Sequence, residues 1–220
     1  KQKTAYEIST RDWSSDVCSS DLAVEDAQSF NLYIDKLAAV TDAEITQFDE
    51  YVLALKKRHD YFHQHGCKAS DHGLEVLFAE DFTETEIKNI FETVRKGQQL
   101  DSLSVSKFKT AMMLQFGMWG HEKGWVQQYH LGPIRNNNIR MFDQLGPDTG
   151  WDSMGNSVNA KNISKFLSLL DKNNQLAKTV LYSINPNDND MLATMIGNFN
   201  DGSIAGKIQL GAPWWFNDQK

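Results

Sequence analysis

The sequence predicts an α/β fold built on a parallel sheet, and three observations carry that prediction. Stripes of apolar residues at spacings of three and four alternate along the chain with apolar runs too short for a helix. Most short runs end at Gly, Pro, Asn or Asp, the residues that turn a chain out of a strand. Strands separated by helices pair in parallel, because parallel neighbours need a crossover connection. With 40% hydrophobic residues in 220 the chain has material for a real core, and its four prolines form no linker, so one unit is expected.

Ile45, Phe48, Val52 and Leu55 put an apolar face on a helix over residues 43–64, with Thr41 or Asp42 as N-cap and Gly66 as stop. Residues 67–70 then read as a short strand feeding a loop that carries Asp71, His72 and Gly73. Ile87, Ile90, Phe91 and Val94 mark a second helix, opened by Thr83 with Glu86 three residues on, a capping-box pattern, and ended by Gly97. A helix over residues 104–119 leads to residues 125–131, where polar and aromatic residues alternate until Gly132 and Pro133 break what reads as a buried strand.

Ile163, Phe166, Leu167 and Leu170 form the next helical stripe. Residues 178–184 are β-rich and stop at Asn185 and Pro186, residues 188–200 suit a helix, and residues 206–210 offer a last strand before Trp214, Trp215 and Phe216. Roughly four strands cannot close a barrel of eight, so the sheet is either open or part of a larger barrel. In such folds function collects just past the strands' C-terminal ends, where this chain puts His72, Arg135, Asn185 and Trp214.

A formal net charge of −7 argues against nucleic acid or an anionic membrane as partner, since phosphate binding needs clustered Lys and Arg. No stretch is apolar for the length of a membrane span, and residues 1–10 lack the apolar core of a signal peptide, so a cytoplasmic location is expected. Cys18 and Cys67 are too few for a disulfide framework and read as reduced thiols. There is no GxGxxG, P-loop or GxSxG elbow.

The richest constellation is WVQQYHLGPIRNNN, residues 125–138. Its imidazole, His130, can move a proton or bind a metal, the Arg135 guanidinium can pair with a carboxylate, and Asn136, Asn137 and Asn138 can bond hydroxyls. The plain alternative is a core histidine followed by an asparagine turn or helix cap, and on these residues alone that alternative is favoured. The SDHG run, residues 70–73, offers Asp71 or His72 to the same mouth. His59 and His63 are four apart on one helix face, but without the glutamate of HExxH they read, with His65, as solvated surface residues. Trp214 and Trp215 suit either a sugar pocket or ordinary packing.

Residues 11–22, RDWSSDVCSSDL, have no apolar period. Permitted codons from Asp12 onward spell an oligonucleotide that resembles a sequencing adapter read in frame. Residues 1–22 are therefore expected to be a misjoined segment in which Trp13 and Cys18 have no selected role, and residues 23–220 the domain to be interpreted.

SDHGLE, GWVQQYHLGPIRNNNIRMFDQLGPDTGWDSMG, KTVLYSINPNDNDMLATMIGNF and DGSIAGKIQLGAPWWFNDQK resemble successive blocks of the bacterial uronate isomerase family, in the amidohydrolase superfamily. Even KQKTAYEIS, residues 1–9, resembles a family segment that lies further upstream. The resemblance implies a partial (β/α)8 TIM-like barrel, the C-terminal half without its last strand, from an enzyme that interconverts D-glucuronate with D-fructuronate and D-galacturonate with D-tagaturonate. It further implies that His130 is catalytic, that Arg135 and Trp214 contact the uronate and that His72 faces the same mouth. A divalent metal, zinc, belongs to the family; the regions that carry its first-strand HxH and last-strand DxR ligand motifs are not matched by this sequence, so no metal ligand is assigned and the fragment alone is expected to be inactive. Assembly into an oligomer is compatible with the family. A non-catalytic sugar-acid-binding module and a metal-dependent hydrolase are the alternatives.

Overall fold

In the computed structural model, which describes residues 22–146 and 149–212, two helices precede the sheet: α1 (Ala27–Thr41) and α2 (Phe48–Gln64). Asp26 caps α1 by accepting from the amides of Gln28 and Ser29 at 3.0 and 3.2 Å. Helix α2 begins at Phe48, later than its apolar period suggests. Glu50 reaches back to the amides of Thr46 at 2.7 Å and Gln47 at 2.9 Å, so those amides are satisfied without another helical turn. Ile45 is buried from the preceding loop instead.

The buried side of α2 is Tyr51, Ala54, Leu55 and His59, which corrects the expectation that His59 lies on a solvated face. Its ring stacks on Trp125 with centroids 4.0 Å apart, and burial pushes its pKa down to about 4. His63 engages the same indole: its Nδ1 accepts from the Trp125 N–H at 3.0 Å.

Strand β1 (Ala69–Leu74) leads to helices α3 (Glu84–Arg95) and α4 (Ser102–Lys123), then to β2 (Val126–Leu131). A two-stranded antiparallel ribbon, β3 (Pro133–Ile134) with β4 (Ser153–Met154), flanks the short helix α5 (Ile139–Leu145). Helix α6 (Ala160–Asp171), β5 (Lys178–Ser183), a 3₁₀ turn at Pro186–Asp188, α7 (Asn189–Gly197) and β6 (Ile208–Leu210) complete the described chain. The Thr83–Glu86 capping box forms as its sequence predicts, with Thr83 Oγ1 accepting from the Glu86 amide at 3.2 Å and Glu86 accepting from the Thr83 amide at 2.7 Å.

The main sheet is parallel throughout and runs β1-β2-β5-β6, each new strand beside the last, as consecutive strands of a (β/α)8 barrel do. Strand β1 corrects the sequence reading: Asp71, His72 and Gly73 lie inside the strand, opposite Gln128, Tyr129 and His130, and not in a loop after it. Ser, Asp and Gly are poor strand formers, and pairing with β2 overrides that preference.

One face of the sheet is sealed by helices. Tyr129 meets the edge of Phe166 on α6 at 5.7 Å, and His72 lies flat to Phe116 on α4 at 6.2 Å. Tyr129, Leu131, Leu181 and Ile208 are all buried on this side. A second centre, where α1 to α4 meet, is aromatic: Phe30 touches Tyr51, Phe91 and Phe108 edge-on at 5.7, 6.1 and 5.9 Å.

Candidate active site

Successive strand residues point to opposite faces, so the partners of Tyr129 on β2, namely Gln128 and His130, project away from the helices. Asp71 on β1 and Tyr182 on β5 share that face through the strand register. His130 Nε2 lies 2.9 Å from Asp71 Oδ1, with side-chain exposures of 12% and 31%, and the contacting Oδ1 and the ring's Nδ1 are both buried. The contact is an ion-pair distance, and the carboxylate lies beside Nε2 and away from Nδ1. Tyr182 stacks on the other side of the imidazole, and its hydroxyl donates to Gln128 Oε1 at 2.7 Å. Burial holds the Tyr182 phenol above its ordinary pKa, with the Asp71 charge adding to the effect, so it stays protonated.

Beyond β2 the chain turns at Gly132, whose φ of +92° lies in the left-handed region that glycine tolerates, and enters β3. Arg135 follows, and its Nη1 pairs with Asp152 Oδ2 at 2.7 Å. The Asp152 side chain is 3% exposed while that of Arg135 keeps 30%, so the carboxylate anchors the guanidinium from within and leaves an outer edge of it in contact with solvent. The Asn136 amide donates to the other oxygen of Asp152 at 2.8 Å, which adds to the anchor.

The three asparagines are engaged in shaping this loop. Asn136 adopts φ +51°, Asn137 Nδ2 donates to Ser153 Oγ at 2.9 Å, and Asn138 caps α5 by accepting from the Met141 amide at 3.2 Å. Asn185, past the end of β5, donates to the Gly155 carbonyl at 3.2 Å and accepts from the Asn187 amide at 3.1 Å. It ties the loop after β5 to the ribbon strand β4.

His130 and Arg135 therefore border the polar face and its rim, as their sequence positions suggest. The expectation that His72 faces this mouth is corrected. It sits in mid-strand, 2% exposed, on the helix side, with Nε2 3.0 Å from Ser70 Oγ, and burial pushes its pKa down to about 4. A shift of one residue along a strand reverses the face, and that is the whole distance between Asp71 and His72. Trp214, with Trp215, lies outside the described residues, as do Trp13 and Cys18.

Sequence reasoning missed Asp152, Gln128 and Tyr182. Asp152 finds Arg135 across 17 positions, a pairing that no local spacing encodes. Gln128 stood inside the right motif, and the strand's alternation places it on the face of His130. No group of three or more His, Cys, Asp or Glu able to hold a metal occurs among the described residues. Asp71 and His130 supply two donors, fewer than the three protein ligands of a catalytic zinc.

A family model described as glucuronate isomerase matches residues 18–220. The uronate isomerase of Cellvibrio japonicus is 57% identical over 198 residues, covering 90% of this chain and 42% of that protein. That of Bacteroides fragilis is 54% identical over 199 residues, covering 90% and 42%. The crystal structure of uronate isomerase from Thermotoga maritima superposes with a TM-score of 0.82 at 30% identity, covering 90% of this chain and 42% of its own. The glucuronate isomerase structure from Caulobacter crescentus, 23% identical with a TM-score of 0.77 over 91% of this chain and 40% of its own, shares the fold. The chain thus spans 42% of the length of the curated relatives it matches, less than half. With a family match over residues 18–220, the chain belongs to the glucuronate isomerase family.

Proposed function

We propose that this chain carries part of the active site of a uronate isomerase, converting D-glucuronate to D-fructuronate and D-galacturonate to D-tagaturonate. The observation that supports the reading most is the Asp71–His130 pair on the polar face of a parallel sheet, with Arg135 held at the rim by Asp152. In this reaction a proton leaves C2 and one arrives at C1, while O1 gains and O2 loses a proton through an ene-diol. His130 is the proposed proton-transfer group, with the Asp71 carboxylate beside its Nε2. Arg135 is the proposed partner of the uronate carboxylate or hydroxyls. Trp214 is proposed, from its place in the family's pattern, as an aromatic wall of the same pocket.

The family's divalent metal, zinc in this reading, supplies Lewis-acid polarisation of the sugar carbonyl when bound. Its ligands are assigned to no residue described here, and none of the steps above runs through it. The main sheet has four strands among the described residues, where a closed barrel takes eight. The chain alone is proposed to bind a uronate without turning it over, and the enzyme to work in the cytoplasm.

The test is ketose formation from D-glucuronate by the chain completed with the portions of the Cellvibrio japonicus relative that lie outside the match, metal supplied. Product is expected, falling about a hundredfold or more in His130→Asn. Arg135→Ala is expected to raise KM about tenfold. No product from a folded, completed protein overturns the reading.

A further inference from the structure

Tyr182 stands directly opposite His130 in the β2–β5 register. Its ring lies on the imidazole with centroids 4.3 Å apart and planes within 12° of parallel. Its hydroxyl is taken up by Gln128, two residues before His130 on the same face, at 2.7 Å. Just past the end of β6 comes a third constraint. The Gly211 amide donates to the Leu181 carbonyl at 2.8 Å and brings that backbone against the phenol, so that a Cβ at Gly211 would overlap Cδ1 and Cε1 of Tyr182. Three strands thus brace one ring, and that ring in turn covers the imidazole.

An imidazole needs such a brace if it is to transfer protons. The torsion that turns its plane is broad, with no sharp staggered minimum, so packing must set it. The Asp71 carboxylate fixes one nitrogen at a point and leaves the ring free to pivot about that contact. A flat partner removes the pivot, because tilting the imidazole would drive it into the phenol.

We propose that Tyr182 is a positioning residue for His130: its ring, braced by Gln128 and Gly211, fixes the imidazole plane, keeps Nε2 on Asp71 and so sets which nitrogen bears the proton. The consequence for turnover rests on the uronate isomerase reading; the consequence at the imidazole does not. Tyr182 acts through His130, since its own hydroxyl is committed to Gln128.

Nitrogen-15 spectra of histidine-labelled chain read the His130 tautomer directly. The parent chain is expected to hold the Nε2-protonated form, and Tyr182→Phe, which keeps the ring, to retain it. In Tyr182→Leu the other tautomer is expected to rise about fivefold, the scale of one aromatic pair. Gly211→Ala pushes the phenol from its far side and is expected to give the same change, which supplies the test if Tyr182→Leu loses its fold. An unchanged tautomer in either folded variant overturns the proposal. So does the absence of nuclear Overhauser contacts between the two rings in the parent chain, where no variant is needed. In the completed isomerase, Tyr182→Leu is expected to lower kcat about tenfold with KM within about twofold, and Tyr182→Phe to recover most of it. A completed protein without turnover counts against the isomerase reading alone, because the tautomer result is independent of it.

Discussion

The two faces of the main sheet have opposite fates although their residues alternate along the same strands. On the helix side His72, Tyr129, Leu131 and Leu181 are sealed, none more than 2% exposed. On the other side Asp71, Gln128, His130 and Tyr182 are partly open and contact one another across three strands. Asp71 and His72 are neighbours in sequence, and only their face separates them. For His72, burial makes the charged form costly and leaves a neutral core ring; for Asp71, a half-open position next to an imidazole makes a group that can govern a proton. What an ionisable residue can do here is decided by the side it faces more than by its type.

Truncation separates the faces most sharply. Phe166→Ala removes a fully buried ring that packs edge-on against Tyr129, and is expected to cost about 3–5 kcal/mol in urea unfolding. Gln128→Ala, on the polar face, loses one half-open hydrogen bond and is expected to cost about 1 kcal/mol. Equal costs would mean that the open face is as much a core as the sealed one, and the comparison would fail.

Acid sharpens the same contrast. His72 and His59 both have pKa values pushed by burial from 6.5 down to about 4. Between those values the unfolded chain binds protons that the folded chain refuses, so stability rises with pH through this window. The contribution is complete above about pH 6.5, falls as pH drops toward 4, and changes no further below that. Each histidine accounts for at most roughly 3 kcal/mol. The melting temperature is expected to drop between pH 7 and pH 4.5, and the drop to shrink in His72→Gln and again in the double variant with His59→Gln. A drop of the same size in the double variant would remove the buried histidines as its source.

Much of this architecture was legible in the chain, and the parts that were not share a cause. Thr83 with Glu86, the stripe from Ile163 to Leu170, and the β2 and β5 runs are local signals, and each element forms where its spacing puts it. Helix α2 begins late because Glu50 satisfies amides that the apolar period would have made helical. Strand β1 was shortened because Ser70, Asp71 and Gly73 read as a turn until β2 supplies the hydrogen bonds. In the site, His130 and Arg135 stood out as polar residues in one motif. Asp152 and Tyr182 did not, since the first needs a ribbon to bring it to Arg135 and the second reads as an ordinary strand aromatic until the register sets it on His130. Local chemistry was visible; cross-strand company was not.

The smallest expected effect tests how firmly the sealed side is packed. On α4 a Cβ at Gly117 would lie 2.8 Å from Cδ1 of Leu170 on α6, closer than atoms pack without movement. Against that overlap, alanine in place of a helix-interior glycine contributes about 1 kcal/mol of helix propensity. The obstructing atom is the end of a flexible side chain, and Leu170 borders a groove of about 650 Å³ with Phe82, Leu114, Met118 and Trp119 on its walls, so its methyl has somewhere to go. Gly117→Ala is therefore expected to leave the urea midpoint within about 1 kcal/mol of the parent. Gly211→Ala meets an aromatic ring held by Gln128 and His130 and has no such outlet. If Gly117→Ala instead costs more than about 2 kcal/mol, the α4–α6 contact is as tightly fixed as the phenol, and rigidity would not distinguish the site face from the helix layer behind it.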